Sequence, residues 1–379
     1  MIAAGAALVL AGAVVAFAAV KSNTVRVAFY GVDQGVGDCV KGEIANMNFR
    51  RVRYYELDAS EPLPAGFEKK YSILIAKNCL SVKRNSQKFI PLGDGLLEAL
   101  PISIRKPTEL GERHYALSLL LDHFEISYFQ PAQKKLGLSK PQSYGALLRY
   151  LEAVKGSCEI PLVCAGAQDK DLLGFASVMS EIFYGAEGYK KMLEAVAQSV
   201  ALNKNSLPES LTRVLDEIKA MQASGLLFEK WTKTTQKDVR FFMQNQSVAA
   251  AAMFLSDRRG YDYNLIKYFD ASYFPRYERL SEHGLVAPQI VAALLSGKNG
   301  APLILGQLVS NQAQENLTNT SLLAPTASRA ESVDRQADDV RFWAASCPGG
   351  PLGSMEEECA LSAERSRSLA QKIRVYLEK

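Results

Sequence analysis

The sequence has few of the residues from which metal centres and hydrolytic sites are usually built. Its 379 residues include three histidines and six scattered cysteines, too few and too dispersed for a recognisable ligand set. It contains neither a GxSxG nor an HExxH pattern, and no nucleophile with an adjacent base. We therefore expect no metal, no cofactor and no enzymatic activity, and a hydrolase of the cell envelope is the least favoured function.

The sequence also lacks an excess of charge of one sign. Its formal net charge is +4, and lysine and arginine are interspersed with acidic residues rather than clustered. A nucleic-acid-binding surface requires a basic patch or stripe, so this pattern argues against a nucleic acid or an acidic membrane surface as a partner. A hydrophobic content of 48% with 22% charged residues is ordinary for a globular protein.

The N-terminal segment is the strongest local signal. Residues Ile2 to Val20 carry no charge and are rich in Ala, Val and Leu. We interpret residues 1–22 as a signal peptide, with Ala16-Phe17-Ala18 as the cleavage motif, or as an N-terminal membrane anchor. A buried helix is the alternative, and no lysine or arginine precedes the apolar run. The chain beyond this segment is expected to be periplasmic or otherwise extracytoplasmic.

An oxidising compartment permits cysteine pairing. Cys347 and Cys359 enclose a Gly/Pro-rich loop and are one candidate pair. Cys158 and Cys164 bracket a predicted strand, which would hold them about 20 Å apart, too far to bond. Free buried thiols are an equally good interpretation.

The first part of the chain has the pattern of an α/β unit. Strand-like periodicity occupies Thr24 to Tyr30, and two more strands are predicted at Arg50 to Leu57 and Tyr71 to Lys77. The glycine-rich stretch after the first strand matches no phosphate-binding motif and is predicted to be a plain loop. Ligands of such sheets bind beyond the carboxyl ends of the strands. Candidate binding residues at these ends are Tyr30, Gln34 and Asn78, for which ordinary surface polarity is the alternative.

Two buried strands end in polar residues at points where the chain is predicted to pass between units. The apolar runs 116–121 and 124–129 are separated by Asp122 and His123, and the run 248–257 is followed by Arg258. We predict crossings at both places, which makes each unit discontinuous in sequence. The predicted first lobe is 23–120 plus 259–310, the second is 121–258 plus 311–345, and residues 346–379 form a C-terminal loop and helix packed on the lobes.

The second unit is predicted to be rich in helices. Gln168 lies in a loop before one of these helices, and Trp231 lies in a polar loop, where its indole either stacks on a ligand or caps the core. Together with Tyr184, these residues are candidates for the wall of a cleft, and Asp122, His123, Asp257 and Arg258 are predicted to flank it. Helices are also predicted at Val286 to Leu295 and Pro302 to Val309.

Several segments in this order resemble the sugar-type (family 1) extracellular solute-binding proteins of bacterial ABC importers. The segment ISYFQPAQKKLGLSKPQSYGALLRYLEAVK is similar to the family pattern "YYN…aGL…P.TW.EL…A". Its matching residues are Tyr128, Gly137, Leu138, Pro141, Ser143, Tyr144, Leu147 and Leu148. FFMQNQSVAAAAMFLSD and LVSNQAQENLTNTSLLAPTASRA resemble two later family segments. Phe129 replaces the usual asparagine, only two tryptophans are present, and the chain from Cys347 onward has no clear counterpart.

The resemblance implies a two-lobed, type II periplasmic-binding-protein-like α/β fold with a ligand cleft between lobes joined by hinge strands. The implied function is capture of a small solute, most readily a carbohydrate, by hinge closure, and its delivery to the membrane permease subunits of an ABC importer. A monomer is expected, with membrane contact only through the N-terminal segment. The alternative is a binding-protein-like domain repurposed as an envelope interaction protein without a transport role.

Overall fold

The computed structural model describes residues 24–49, 51–277, 283–298 and 300–379. The predicted signal or anchor segment lies outside these ranges. Among the described helices, none is both long enough and apolar enough to cross a membrane.

A six-stranded mixed sheet organises the first lobe. Its strands are β1 (Val25–Tyr30), β2 (Val52–Leu57), β3 (Ile73–Lys77), β6 (Leu117–Leu121), β12 (Gln289–Leu294) and β13 (Ala324–Pro325). They follow the order β13-β6-β12-β3-β1-β2. β1 pairs in parallel with β2 and β3, whereas β12 is antiparallel to β3 and β6. The strands predicted in the first 121 residues are therefore confirmed.

Both faces of this sheet are covered, which explains why its central strands are almost continuously apolar. Alternate residues of β1 enter different cores: Val27 and Phe29 join one buried cluster, and Ala28 and Tyr30 join another. The helices of this lobe are α1 (Gln34–Asn46), α2 (Phe67–Lys70), α3 (Leu80–Arg84), α4 (Asp94–Leu97), α5 (Ile102–Arg105), α13 (Ala301–Leu308) and α14 (Asn311–Ser321). α1 begins inside the glycine-rich stretch that was predicted to be a loop. A small hairpin is formed by β4 (Glu109–Leu110) and β5 (Arg113–His114).

A four-stranded sheet organises the second lobe. It has the order β10-β7-β9-β8 and consists of β7 (Phe124–Phe129), β8 (Ile160–Cys164), β9 (Val248–Phe254) and β10 (Phe269–Ser272). The helices of this lobe are α6 (Gln130–Leu136), α7 (Tyr144–Val154), α8 (Asp169–Ala201), α9 (Glu209–Ala223), α10 (Gln236–Gln244), α11 (Leu255–Arg259) and α12 (Tyr263–Ile266). Its core is a single large cluster that is separate from the two clusters of the first lobe.

The start of one helix and a break in another are well defined in this lobe. α7 begins after Ser143, whose hydroxyl oxygen accepts a hydrogen bond from the backbone amide of Ala146. α8 continues from Asp169 to Ala201 through a break at Gly185. Gly185 has φ +65° and ψ 179°, a backbone conformation that favours glycine.

The chain crosses between the lobes directly from β6 to β7, through Asp122 and His123, as predicted. The predicted return near Asp257 is wrong. After α11 the chain remains in the second lobe, because β10 pairs with β7, and it enters the first lobe again only at β12. The segment from Val286 to Leu295 was predicted to be helical, but most of it forms this strand, since its apolar run is buried on both sides.

The predicted lobe boundaries are corrected accordingly. Residues 263–272 belong to the second lobe and not to the first. Residues 311–325 belong to the first lobe, because α14 packs on α1 and β13 pairs with β6. The physical reason is that each segment carries the apolar residues that complete the sheet or helix layer it joins.

The C-terminal part of the chain contains α15 (Arg335–Ser346), α16 (Met355–Cys359) and α17 (Ala363–Leu377). Between α15 and α16 lies the short strand β14 (Pro351–Leu352), which pairs with β11 (Leu285–Val286). We call residues 351–379 the C-terminal segment. Met355, Leu369 and Ile373 are buried in the core of the second lobe. The segment is thus an integral layer of that lobe.

All six cysteines lie in the described part of the chain, and all six are free. Cys347 donates a hydrogen bond to the carbonyl of His283, and Cys359 donates one to the carbonyl of Leu193. The two thiols have different partners, and the candidate disulfide between them is not formed.

Trp231 is fully buried, which contradicts its predicted role as an exposed stacking surface. Its ring lies 5.3 Å from the ring of Phe175, centroid to centroid. A Cβ atom at Gly166 would lie 2.6 Å from the indole, so only glycine permits this approach. The apolar indole is therefore part of the second-lobe core, although its sequence neighbours are polar.

We expect Trp231→Ala to lower the free energy of unfolding by about 3–5 kcal/mol, because it leaves a large cavity. The matched control is Phe342→Ala, which removes an aromatic ring that is 66% exposed and should change stability by less than about 0.5 kcal/mol. Urea unfolding followed by circular dichroism measures both. Equal, small effects of the two substitutions would show that Trp231 is not a core residue.

Candidate ligand-binding site

A group of charged side chains lies where the two lobes face each other. We call Asp33, Lys77, Asp122, Lys170, Asp171 and Asp257 the interlobe cluster. Asp33 follows the carboxyl end of β1 and Lys77 is the last residue of β3, at the edge where ligands bind open α/β sheets. The other four lie at the crossing, at the start of α8 and in α11.

The two sides of the cluster act on each other through their charges. On the first lobe, Lys77 and Asp33 form an ion pair with a nitrogen–oxygen distance of 3.7 Å. The positive charge of Lys170 in the second lobe contributes a lowering of the pKa of Lys77. The negative charge of Asp33 contributes to the raised pKa of Asp257. The cluster therefore forms one electrostatic unit that spans the junction between the lobes.

Asp122 holds the centre of the cluster together. Its Oδ1 accepts a hydrogen bond from the backbone amide of Ser256 at 3.0 Å. Its Oδ2 accepts hydrogen bonds from the Ser256 hydroxyl at 2.8 Å and from Lys170 Nζ at 3.0 Å. A residue of the crossing is thus tied to both α11 and α8, and both of its oxygens are satisfied within the protein.

Asp171 and Asp257 are less well satisfied. Burial raises the pKa of Asp171 to about 8, with a further contribution from the negative charge of Asp257. Burial also raises the pKa of Asp257 to about 6, and Lys170 partly offsets this rise. Lys170 Nζ lies 3.9 Å from Asp257 Oδ2, too far for a good hydrogen bond. These carboxyls are buried without enough positive charge to balance them.

Burial alone would lower the pKa of Lys170, but the carboxylates of Asp122 and Asp257 outweigh burial and raise it. Its ammonium also lies 4.3 Å from the centre of the Phe254 ring. Lys170 is therefore charged across the physiological pH range and fixed in position by its neighbours.

The C-terminal segment covers the carboxyl edge of the first sheet and leaves a cavity of about 190 Å³ there. The cavity is lined on one side by Tyr30, Gly31, Ala59, Lys77 and Cys79, and on the other by Glu356, Glu357 and the start of α17. Burial raises the pKa of Glu357 to about 7, and the nearby charge of Lys77 partly offsets this. The C-terminal segment therefore contributes a third wall to the junction.

The same segment contacts both lobes. Its Glu358 forms an ion pair with Lys83 of the first lobe, and the amide of Ala363 donates a hydrogen bond to the carbonyl of Ala59 at 3.2 Å. Toward the second lobe, the amide of Met355 donates to Ser177 Oγ at 2.8 Å. The segment bridges the lobes in the arrangement described here.

Five of the ten predicted site residues lie at this junction. Asp122 and Asp257 belong to the interlobe cluster, and Tyr30 lines the adjacent cavity. Gln34 is exposed beside Asp33 at the start of α1. The side-chain oxygen of Gln168 accepts a hydrogen bond from the backbone amide of Gln236 at 3.1 Å, next to Asp171.

Two predicted residues point into the protein behind the hinge. The His123 ring is 2% exposed and packs against Trp343 at 5.6 Å. Arg258 lies 3.6 Å from the fully buried Glu125, which also accepts a hydrogen bond from Gln336 at 2.8 Å. These residues form a buried polar network and do not line the junction.

The other three predicted residues also have internal roles. Asn78 donates a hydrogen bond to Gln289 Oε1 and accepts one from the Tyr115 hydroxyl, inside the first lobe. The Tyr184 hydroxyl donates to the carbonyl of Ser210, between α8 and α9. Trp231 is core. Sequence position beside a predicted strand or loop did not reveal that these side chains turn inward.

The sequence analysis missed Asp33, Lys77, Lys170 and Asp171. A signal for two of them was present, because Asp169-Lys170-Asp171 places alternating charges at the start of a helix that follows a buried strand. Nothing local distinguishes Lys77 from any lysine at the end of a strand. Among the described residues, no group of histidines, cysteines and carboxylates is arranged to hold a metal ion.

Comparison with known proteins identifies the fold. No family model matches the sequence, and no curated protein matches it. Among solved structures, the bacterial solute receptor AcbH, described as having an exclusive preference for β-D-galactopyranose, superposes with a TM-score of 0.71 at 11% identity, covering 94% of this chain and 99% of that one.

Two further structures are similar. A sugar transporter from Bacillus licheniformis in complex with stachyose has a TM-score of 0.63 at 13% identity, covering 93% of this chain and 95% of that one. Maltose-bound MalE3 from T. maritima has a TM-score of 0.62 at 11% identity, covering 94% and 95%. The predicted two-lobed solute-binding-protein fold is therefore confirmed, and the resemblance to the sugar-type receptors holds at the level of the fold.

We expect Asp171→Asn to make stability less dependent on pH. The pKa of Asp171 is raised from 3.8 to about 8 on folding, so the folded state retains a proton that the unfolded chain loses. The resulting stabilisation is complete below about pH 4 and is lost as the pH rises toward 8. Melting temperatures measured from pH 5 to 8 should fall more steeply for the parent protein than for the variant.

The matched control is Glu152→Gln, which removes an exposed carboxylate and should leave the parent profile unchanged. Asp257, whose pKa is also raised, remains in Asp171→Asn and retains part of the slope. Parallel profiles for the parent and Asp171→Asn would mean that Asp171 ionises normally in the folded protein.

Proposed function

We propose that this protein is the extracytoplasmic substrate-binding component of an ABC importer, which captures a small carbohydrate by hinge closure and delivers it to the membrane permease. The observation that carries this proposal is the pair of separately cored lobes joined at Asp122 and His123, with a polar cluster between the carboxyl edges of their strands. Proteins of the same fold are described with stachyose and maltose bound.

Closure explains how such an arrangement captures a solute. A ligand that touches Asp33 or Lys77 on one lobe and Asp257 or Gln168 on the other makes all its contacts only when the lobes are close together. Its binding free energy therefore favours the closed population. The permease subunits would recognise the closed shape, and no catalytic step is needed.

The second candidate function is that of an envelope interaction protein, a binding-protein-like domain repurposed without a transport role. The C-terminal segment favours it, because that segment contacts both lobes and covers the carboxyl edge of the first sheet. In this candidate the lobes remain fixed and the junction holds no solute.

A thermal-shift screen of mono- and oligosaccharides, polyols and amino acids separates the two candidates, with small-angle X-ray scattering as the second measurement. For a receptor, a ligand present at about 100 times its Kd adds about 2.7 kcal/mol of stability, and the radius of gyration falls as the lobes close. A folded protein that no solute stabilises, with an unchanged radius of gyration, would reject the receptor and support the interaction protein.

Trp343 should report closure, whereas Trp231 should not. Trp343 contacts the ring of His123 at the crossing and the ring of Tyr273 at 5.4 Å, while Trp231 lies in the second-lobe core. We expect a solute-induced change in tryptophan fluorescence that persists in Trp231→Phe and is reduced at least severalfold in Trp343→Phe. The reverse result would place the moving contacts around Trp231.

A further inference from the structure

Some side chains of the interlobe cluster have all their hydrogen-bond partners within the protein, and others lack them. Lys170 donates to Asp122 Oδ2 and also to Ser256 Oγ at 3.2 Å. Asp122 is fully engaged by the same partners. Within the described residues, the buried oxygens Asp171 Oδ1 and Asp257 Oδ2 accept no hydrogen bond. The one lysine of the second lobe in the cluster is therefore committed to Asp122. It lies 3.9 Å from Asp257 Oδ2, and within the described residues no cation forms an ion pair with Asp171.

Asp171 is the decisive residue, because its side chain is buried and its Oδ1 has no hydrogen-bond partner among the described residues. It is 2% exposed, and buried carboxyls in proteins are normally paired or hydrogen-bonded. The Gln236 amide lies near enough to lower its pKa partly, but makes no hydrogen bond of standard geometry to it. Asp257, whose side chain is 28% exposed, lies beside it within range of a strong charge interaction.

A hydrogen-bond donor and a hydroxyl lie beside these carboxyls. The amide nitrogen of Gln236 has no hydrogen-bond partner among the described residues. Its side-chain oxygen accepts from the Tyr261 hydroxyl at 2.7 Å, which fixes the orientation of the amide. A solute bound at the junction would thus meet Asp257, which is partly exposed, with the buried Asp171 carboxyl behind it and the Gln236 amide as a donor suited to a solute hydroxyl.

The cluster as a whole contains more acidic than basic side chains. Its lysines are Lys77 and Lys170, and its carboxyls belong to Asp33, Asp122, Asp171 and Asp257. The negative charges of Glu356 and Glu357 in the C-terminal segment also raise the pKa of Lys77. In the unliganded protein the raised pKa of Asp171 keeps its carboxyl protonated at neutral pH, and a neutral carbohydrate would leave it so. An ammonium group would take the place of that proton and form charge-assisted hydrogen bonds.

We propose that the solute of this receptor carries a protonated amino group beside its hydroxyls, as an amino sugar or an amine-bearing polyol does, and that Asp257, backed by Asp171, binds the ammonium. This inference rests on the proposed receptor function, because it assigns the solute class to the same junction. Asp257 contacts the ammonium directly, and Asp171 adds a negative charge from behind when it loses its proton on binding. The Gln236 amide donates to an adjacent hydroxyl.

Isothermal titration calorimetry tests this with glucosamine and galactosamine, their N-acetyl derivatives and the parent hexoses. N-acetylation keeps the ring and removes the charge, so it isolates the ammonium. At pH 6.5 we expect the amino sugar to bind about tenfold or more tightly than its N-acetyl derivative, the size of a hydrogen-bonded charge pair. Asp257→Asn should remove most of this difference, whereas the exposed-carboxylate control Glu152→Gln should preserve it.

Proton release provides an independent readout. Asp257 faces Lys170, Asp122 and Asp33, and Asp171 faces Asp257, Lys170 and the Gln236 amide. A bound ammonium favours the ionised form of both carboxyls, so protons leave them on binding. The apparent binding enthalpy should therefore vary with the ionisation enthalpy of the buffer, and should vary less in Asp171→Asn.

The outcomes distinguish this inference from the proposed function. Equal or tighter binding of the parent hexoses or N-acetyl sugars would overturn the amino-group assignment and leave the receptor function standing. Failure of every sugar to bind a folded protein would overturn both. Selective binding of the amino sugars that Asp257→Asn does not weaken would place the ammonium elsewhere and overturn the role given to Asp257.

Discussion

The arrangement of the lobes depends on the hydrogen bonds of one carboxylate at the chain crossing. Asp122 lies between β6 of the first sheet and β7 of the second, and its two oxygens bind Ser256 and Lys170. The side chain is only 14% exposed, so these charge-assisted hydrogen bonds are partly protected from water and stronger than on an open surface. They fix the start of α8 and of α11 relative to the crossing, and so determine which side chains meet between the lobes.

The cluster built around Asp122 contains more carboxyls than lysines. Lys170 serves several of these carboxyls, and burial keeps the pKa values of Asp171 and Asp257 high because their ionised forms lack sufficient partners. Such a site costs folding free energy, and unsatisfied buried groups of this kind are concentrated at functional sites. The geometry therefore favours a junction that is completed by something from outside the chain.

The C-terminal segment gives the junction a feature that the two sheets alone would not have. Its apolar residues complete the core of the second lobe, while its acidic residues approach Lys77 and Lys83 of the first lobe. Opening the lobes would separate the Lys83–Glu358 pair, which is partly exposed and therefore worth little by itself. Burial holds the segment to one lobe, and comparatively weak contacts hold it to the other.

The sequence alone determined the strands and the main crossing. The runs 73–76 and 248–254 are apolar over their full length, because both faces of each strand are buried, and the polar pair at Asp122 and His123 marked the point of passage. The order of weak motifs pointed to the fold that the structural comparisons confirm. Only the tertiary structure decided that Val286 to Leu295 is mostly strand, because a short apolar run has no periodicity that separates a buried strand from a buried helix. It alone also decided which polar residues meet between the lobes, since the direction of a side chain depends on packing across distant segments. The indole of Trp231 packs in the core against Gly166, where a side chain would clash with it. Lys170 forms a hydrogen bond with Asp122, which is 48 positions away in the sequence.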